Sequence, residues 1–314
     1  MKRPIFFILK HKSAGKGLII MPMKIVSLFM AVVAMIMNVM APVVSPAPAP
    51  LDGGDRVQYG ESYNQVYDIY VPSDAEGDVD VLFVLHGGGW VFYDQTQYAE
   101  KLKTACDEHG LVAVGMDYRK IQNNATALDM LEDVEATVAS VKDYLLERGL
   151  TPHKMALAGH SSGSHLSALY AYKHYSDSPI EIGFVTLGSC PASFFDSNTE
   201  KFLPLKAISC GLLSILTGES INLLNLSKKT ETVNSITALS MVNPNVPPTL
   251  IVHGKKDKMV SYENAEKLES ALKENGVYCE LITYENSDHL LQEDAAEMDS
   301  VTVSEFYRFV SEFL

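Results

Sequence analysis

The stretch Lys154-Met155-Ala156-Leu157-Ala158-Gly159-His160-Ser161-Ser162-Gly163 opens on a short apolar run and closes on a Gly-x-Ser-x-Gly pentapeptide. A helical pattern follows over residues 165–174. Strand, turn and helix in that order are the setting a nucleophile elbow requires. Its serine sits at the tip of a sharp turn, with the hydroxyl clear of the backbone. Glycines flank it because a Cβ at either place would run into the neighbouring strand or helix. Ser161 is thereby the candidate nucleophile.

Outward from the elbow, apolar runs of strand length alternate with longer helical patterns. Strands are expected at 66–71, 79–85, 111–117, 154–158, 182–187, 249–253 and 279–284. Helices are expected at 98–108, 127–148, 165–174, 261–275 and 301–313. The 127–148 pattern puts Leu128, Leu131, Val134, Val138, Val141 and Leu145 on one face at i+3 and i+4 spacing. Continuous apolar strands alternating with helices predict an α/β fold with a mostly parallel sheet covered on both faces. Residues 190–248 break the rhythm, with no clear strand and only short helical pieces such as 203–216. We read this segment as an insertion lying over the mouth of the site, a lid that selects substrate.

Acyl transfer needs more than a serine. Upstream, the strand at 79–85 runs into His86-Gly87-Gly88-Gly89-Trp90. Consecutive glycines let backbone N–H groups turn toward a substrate oxygen, and the second part of such an oxyanion hole is the N–H after the nucleophile, here Ser162. His86 reads as structural, its ring holding the loop. Downstream, the strand at 249–253 ends in Gly254-Lys255-Lys256-Asp257, which puts an acid where it can orient an imidazole. The last strand leads to Glu285-Asn286-Ser287-Asp288-His289, so His289 is the expected general base, with Asp288 the second-choice acid. The order Ser161, Asp257, His289 differs from the trypsin and subtilisin orders and is that of the α/β-hydrolases. His160 and His165 lack the spacing of a metal pair on a helix, and His160 reads as packing beside the nucleophile.

From about Asp68 onward the chain resembles the HGGG-type carboxylesterases of the α/β-hydrolase fold. It is similar both to the hormone-sensitive-lipase-like esterases of bacteria and to the bifunctional deacetylase/feruloyl-esterase type. The resemblance is carried by His86-Gly87-Gly88-Gly89-Trp90, Asp117-Tyr118-Arg119, Leu131-Glu132-Asp133-Val134, the elbow, Val252-His253-Gly254-Lys255-Lys256-Asp257 and Asp288-His289. It implies that Gly88 and Gly89 supply oxyanion donors. Two places depart from it. Lys120-Ile121 follows Asp-Tyr-Arg in place of Leu-Ala or Leu-Ser, and Leu290-Leu291 follows the histidine.

Composition bounds the partners. Of the net charge of −14, residues 1–50 carry six basic and no acidic residues, which leaves 19 basic against 39 acidic residues and a net −20 for the rest. A surface that acidic repels nucleic acid. Residues 25–44 are apolar apart from Ser27 and Asn38, with Lys10, Lys12, Lys16 and Lys24 upstream, which reads as a signal peptide or a retained membrane anchor. Ser45-Pro46-Ala47-Pro48-Ala49-Pro50 reads as a stiff tether to a catalytic domain at 51–314, secreted or otherwise facing outward. An even cysteine count permits disulfides there: Cys190 and Cys210 could close a loop, while Cys106 and Cys279 read as buried free thiols. No C-x-x-C or metal-ligand spacing is present, and neither metal nor cofactor is expected. The expected reaction is hydrolysis of short-chain or carbohydrate-linked acyl esters. A peptidase or amidase with the same triad is the alternative, and a non-catalytic binding protein on the same fold a more remote one.

Overall fold

The computed structural model describes residues 49–314, apart from the side chains of residues 295–299. The apolar stretch at 25–44 lies outside the described residues. Among the described residues no helix is long and apolar enough to cross a membrane.

Eight strands form one sheet. They are β1 (Gly54–Gln58), β2 (Val66–Tyr70), β3 (Asp78–Leu85), β4 (Val112–Met116), β5 (Thr151–His160), β6 (Glu181–Gly188), β7 (Thr249–Gly254) and β8 (Cys279–Tyr284). Their order across the sheet is β1-β2-β4-β3-β5-β6-β7-β8. β2 runs antiparallel to β1 and β4, and all other pairs are parallel. Seven strands fall where apolar runs predict them. β1 does not announce itself, because its sequence GDRVQ has one apolar side chain and it lies at a half-exposed edge.

The helices are α1 (Ala99–His109), α2 (Ala127–Leu146), α3 (Ser162–Lys173), α4 (Ser197–Lys201), α5 (Leu203–Thr217), α6 (Thr230–Asn234), α7 (Glu263–Glu274) and α8 (Ala295–Phe313). Period-2 alternation along the strands divides the core in two. Val81, Phe83, Leu85, Met155, Leu157, Val185, Leu187 and Ile251 pack with residues of α2, α3 and α7. Leu82, Ala113, Ala156, Phe184, Leu250 and Val252 pack with Leu102 of α1 and Phe309 of α8. Helices thus cover both faces, as parallel strands buried on both sides require.

Two expectations need correction. Leu128 is 41% exposed; Ala127 and Met130 take the inward places in the first turn of α2, and the buried stripe continues through Leu131, Val134, Val138, Val141 and Leu145. Cys190 and Cys210 do not close a loop: both are buried free thiols, as is Cys106, while Cys279 is a half-buried one. Residues 190–248 carry α4, α5, α6 and two single turns of 3₁₀ helix, with Cys210 on α5; both cysteines are buried in the same core without being bonded to each other.

Register decides what meets at the sheet edge. Leu85, Gly159, Leu187, Ile251 and Leu281 form one row across β3, β5, β6, β7 and β8. The chain therefore leaves β3, β5, β7 and β8 along a single rim. The loops that begin at His86, Ser161, Lys255 and Glu285 all start from that rim.

Candidate functional site

Ser161 follows β5 directly and precedes the first residue of α3. Its backbone has φ 55° and ψ −121°, a conformation an L-residue avoids at a cost of about 1–3 kcal/mol. Packing enforces it. A Cβ on Gly163 would lie 2.1 Å from the Leu85 carbonyl oxygen, and one on Gly159 2.5 Å from the carbonyl carbon of Gly163. Strand and helix can approach this closely only through glycine, and the serine between them is forced outward. The Ser161 N–H donates to Gly188 O at 2.8 Å, fixing the turn to the next strand.

Three side chains from distant parts of the sequence meet at this turn. His289 Nε2 lies 2.9 Å from Ser161 Oγ, and His289 Nδ1–H donates to Asp257 Oδ2 at 2.7 Å. His289 is 5% and Asp257 8% exposed, so the pair is screened from water. Burial alone would raise the Asp257 carboxyl. The imidazoles of His253 and His289 and the Val260 N–H more than reverse this and hold it below the ordinary carboxylate range. Oδ1 accepts from the N–H of Met259 at 2.8 Å and of Val260 at 2.9 Å. An ionised, fully solvated-by-protein carboxylate results, suited to keeping hydrogen on Nδ1 and the lone pair of Nε2 toward the hydroxyl. Asp288 is placed otherwise. It is exposed, and its Oδ1 accepts from Leu290 N–H within its own loop.

The glycine loop takes up left-handed backbone at Gly88 (φ 112°), Gly89 (φ 63°) and Trp90 (φ 61°). A Cβ on Gly88 would lie 2.2 Å from Phe92 O. The Gly87 N–H is taken by Gln97 Oε1 at 3.2 Å. Among the described residues the N–H groups of Gly88, Gly89 and Ser162 have no protein acceptor. The Ser162 N–H also heads α3, where the helix dipole favours negative charge.

Sequence reasoning gave His160 only a packing place beside the nucleophile and assigned no role to Ser189, His253 or His165. His160 Nε2–H donates to the backbone carbonyl of His289 at 2.8 Å, and Ser189 Oγ donates to the same oxygen at 3.2 Å. Burial, and after it the neighbouring His289, push His160 down to about 4, so its ring is neutral at pH 7. His253 is fully buried; its Nε2–H donates to Val260 O at 3.0 Å and lies 3.3 Å from Asp257 Oδ2. His165 Nε2–H donates to Ile236 O at 2.7 Å, and its Nδ1 accepts from Trp90 Nε1 at 3.3 Å. It thus ties the residue after Gly89 to the insertion. Only the elbow position of His160 and the four-residue spacing of His253 to Asp257 could have signalled these contacts. The described residues contain no group of His, Cys, Asp or Glu arranged to hold a metal ion.

Residues 67–272 match the BD-FAE family model. The chain belongs to the BD-FAE family. Similar proteins agree with that placement. The BD-FAE chain is 26% identical to a probable carboxylic ester hydrolase, LipM, of Mycobacterium tuberculosis over 74% of its own length and 55% of LipM. It is 23% identical to a probable isoprenylcysteine alpha-carbonyl methylesterase, ICMEL1, of Arabidopsis thaliana, over 74% of its own length and 50% of that protein. It thus spans about half the length of these curated relatives. Among solved structures, the butyrate-bound esterase Est2 of Thermogutta terrifontis superposes with a TM-score of 0.66 at 21% identity, covering 84% of this chain and 96% of Est2. The BD-FAE chain has the α/β-hydrolase fold.

Proposed function

We propose that this chain is a serine carboxylic-ester hydrolase working through an acyl-enzyme. The observation that carries the reading is the hydrogen-bonded line Ser161–His289–Asp257 lying beside three N–H groups without acceptors. His289 Nε2 takes the hydroxyl proton as Ser161 Oγ attacks the ester carbonyl carbon. The N–H groups of Gly88, Gly89 and Ser162 receive the oxyanion. His289 then gives the proton to the departing alkoxide, and water repeats the sequence on the acyl-serine. Asp257 keeps the imidazole oriented and balances the charge it gains.

The names of the relatives, a carboxylic ester hydrolase and a methylesterase, support ester over amide bonds. The acyl group is short-chain or linked to carbohydrate. Residues 190–248 cover the site and select among such esters, held to the oxyanion loop through the Trp90–His165–Ile236 contacts. The N-terminal apolar segment exports the domain or tethers it to a membrane, facing outward.

The test uses purified chain with p-nitrophenyl acetate, longer p-nitrophenyl esters, acetylated xylan and a matching p-nitroanilide. Ester turnover with stoichiometric fluorophosphonate labelling is expected. Ser161→Ala is expected to remove labelling and lower kcat by about 10⁴-fold or more. Faster turnover of the anilide replaces the esterase reading with an amidase. Activity that survives Ser161→Ala removes the acyl-enzyme altogether.

A further inference from the structure

Lys120, at one of the two places where the sequence departs from the families it resembles, is buried. Its ammonium reaches Asp117 Oδ1 at 2.5 Å. The same oxygen accepts from His86 Nε2–H at 2.9 Å and from Tyr118 N–H at 3.0 Å. The far side of the His86 ring reaches the oxyanion loop itself, Nδ1 lying 2.7 Å from Gly87 O. Both ring nitrogens thus lie within hydrogen-bond distance of an oxygen, which fixes the ring between Asp117 and the glycine loop. Tyr118 clamps it from one face, with ring centroids 4.3 Å apart and planes within 4°, while its hydroxyl donates to His86 O at 2.9 Å. On the other side of the loop the Ile121 N–H donates to Trp90 O at 3.0 Å. Residues 120 and 121 therefore hold the glycine loop at both ends, one through a side-chain chain and one through the backbone.

A buried ammonium is costly to desolvate, and an apolar side chain of similar size would fill the space at no such cost. What the ammonium adds is a charged donor on Asp117 Oδ1. It holds that oxygen facing His86, and so keeps His86 aimed at Gly87 O. Rotation of the Gly87–Gly88 peptide would swing the Gly88 N–H away from the oxyanion position. We propose that Lys120 is a positioning residue for the oxyanion loop, acting through Asp117 and His86. The proposal rests on the esterase reading above, in which Gly88 and Gly89 receive the developing charge.

Lys120→Met, Lys120→Gln and Lys120→Arg are compared with the wild type on p-nitrophenyl acetate and on its thiono analogue, with sulfur in place of the carbonyl oxygen. Sulfur accepts weakly from N–H donors, so the thiono ester reports on the nucleophile and base with little help from the oxyanion loop. For Met and Gln we expect kcat on the oxygen ester to fall about tenfold with KM within about twofold, and the thiono rate to change less than about twofold. Lys120→Arg, which keeps the charge, is expected to recover most of the oxygen-ester rate. Whichever of Met and Gln folds carries the test. Oxygen-ester turnover within about twofold of wild type, or equal losses on both esters, overturns the positioning role and leaves the esterase reading intact. A wild type that hydrolyses neither ester overturns both.

Discussion

Ser161 shows how much work two glycines do for one hydroxyl. The positive φ at Ser161 is held by the closeness of β5 and α3 to β3, and Gly163 is the tightest point of that contact. Gly163→Ala would place a methyl group against Leu85 O with no side chain able to give way. We expect it to lower stability by about 3 kcal/mol or more, read as a shift in urea midpoint, or to prevent accumulation of folded protein. A midpoint within experimental scatter of wild type contradicts that account. His160 acts more gently. It holds the His289 backbone and touches no reacting atom, so His160→Leu is expected to lower kcat about tenfold while KM moves less than about twofold. An unchanged kcat shows that Ser189 alone suffices to hold the loop.

Elements carry the site by what they bury. α2 begins with a capping box, in which Thr126 and Asp129 satisfy each other's backbone N–H groups, and then lays its apolar stripe on the sheet. Asp133 on the same helix is 1% exposed; it accepts from the Arg119 backbone at 2.7 Å and from Arg119 Nε at 2.9 Å. The Asp-Tyr-Arg and Leu-Glu-Asp-Val motifs are therefore two halves of one structural joint behind the oxyanion loop. Leu131→Ala is expected to cost about 2–4 kcal/mol in urea unfolding and to leave kcat of the folded fraction within about twofold. At this scale the strands and long helices were readable, since their periodicity records which face is buried. β1 was not, because an edge strand earns its pairing from β2 rather than from its own pattern. The first turn of α3 was also missed: Ser162-Gly163-Ser164 is polar and glycine-bearing, yet all three are buried under neighbouring backbone.

The whole molecule should respond to acid through its buried histidines. Burial pushes His165 down to about 4 from an ordinary 6.5, and His160 is likewise at about 4. Between those values the unfolded chain binds protons that the folded chain refuses. The stability these residues contribute is present above about pH 6.5 and is lost as pH falls toward 4. Fully developed, the shift at His165 amounts to about 3 kcal/mol. Urea midpoints measured from pH 7.5 to 4.5 are expected to fall steadily, with a shallower fall in His165→Gln. A flat profile over that range contradicts the buried, neutral state of both rings. The depressed Asp257 carboxyl adds its own loss only at still lower pH, where the carboxylate takes up a proton.

The sequence by itself determined the order of the candidate groups along the chain: a glycine loop after one strand, a serine after another, then an acid and a histidine after the last two. Local rules suffice for that, because hydrophobic periodicity marks the strands and glycine marks the sharp turns. Only the tertiary structure decided that Cys190 and Cys210 are free thiols, and which atoms His86, His160, His165, His253 and Lys120 hold around the site; it sets Asp257, the acid the sequence favoured over Asp288, against His289. The reason is register. One row of paired residues across five strands brings loops more than a hundred residues apart to a common rim, and no spacing within a single segment encodes which side chains then meet.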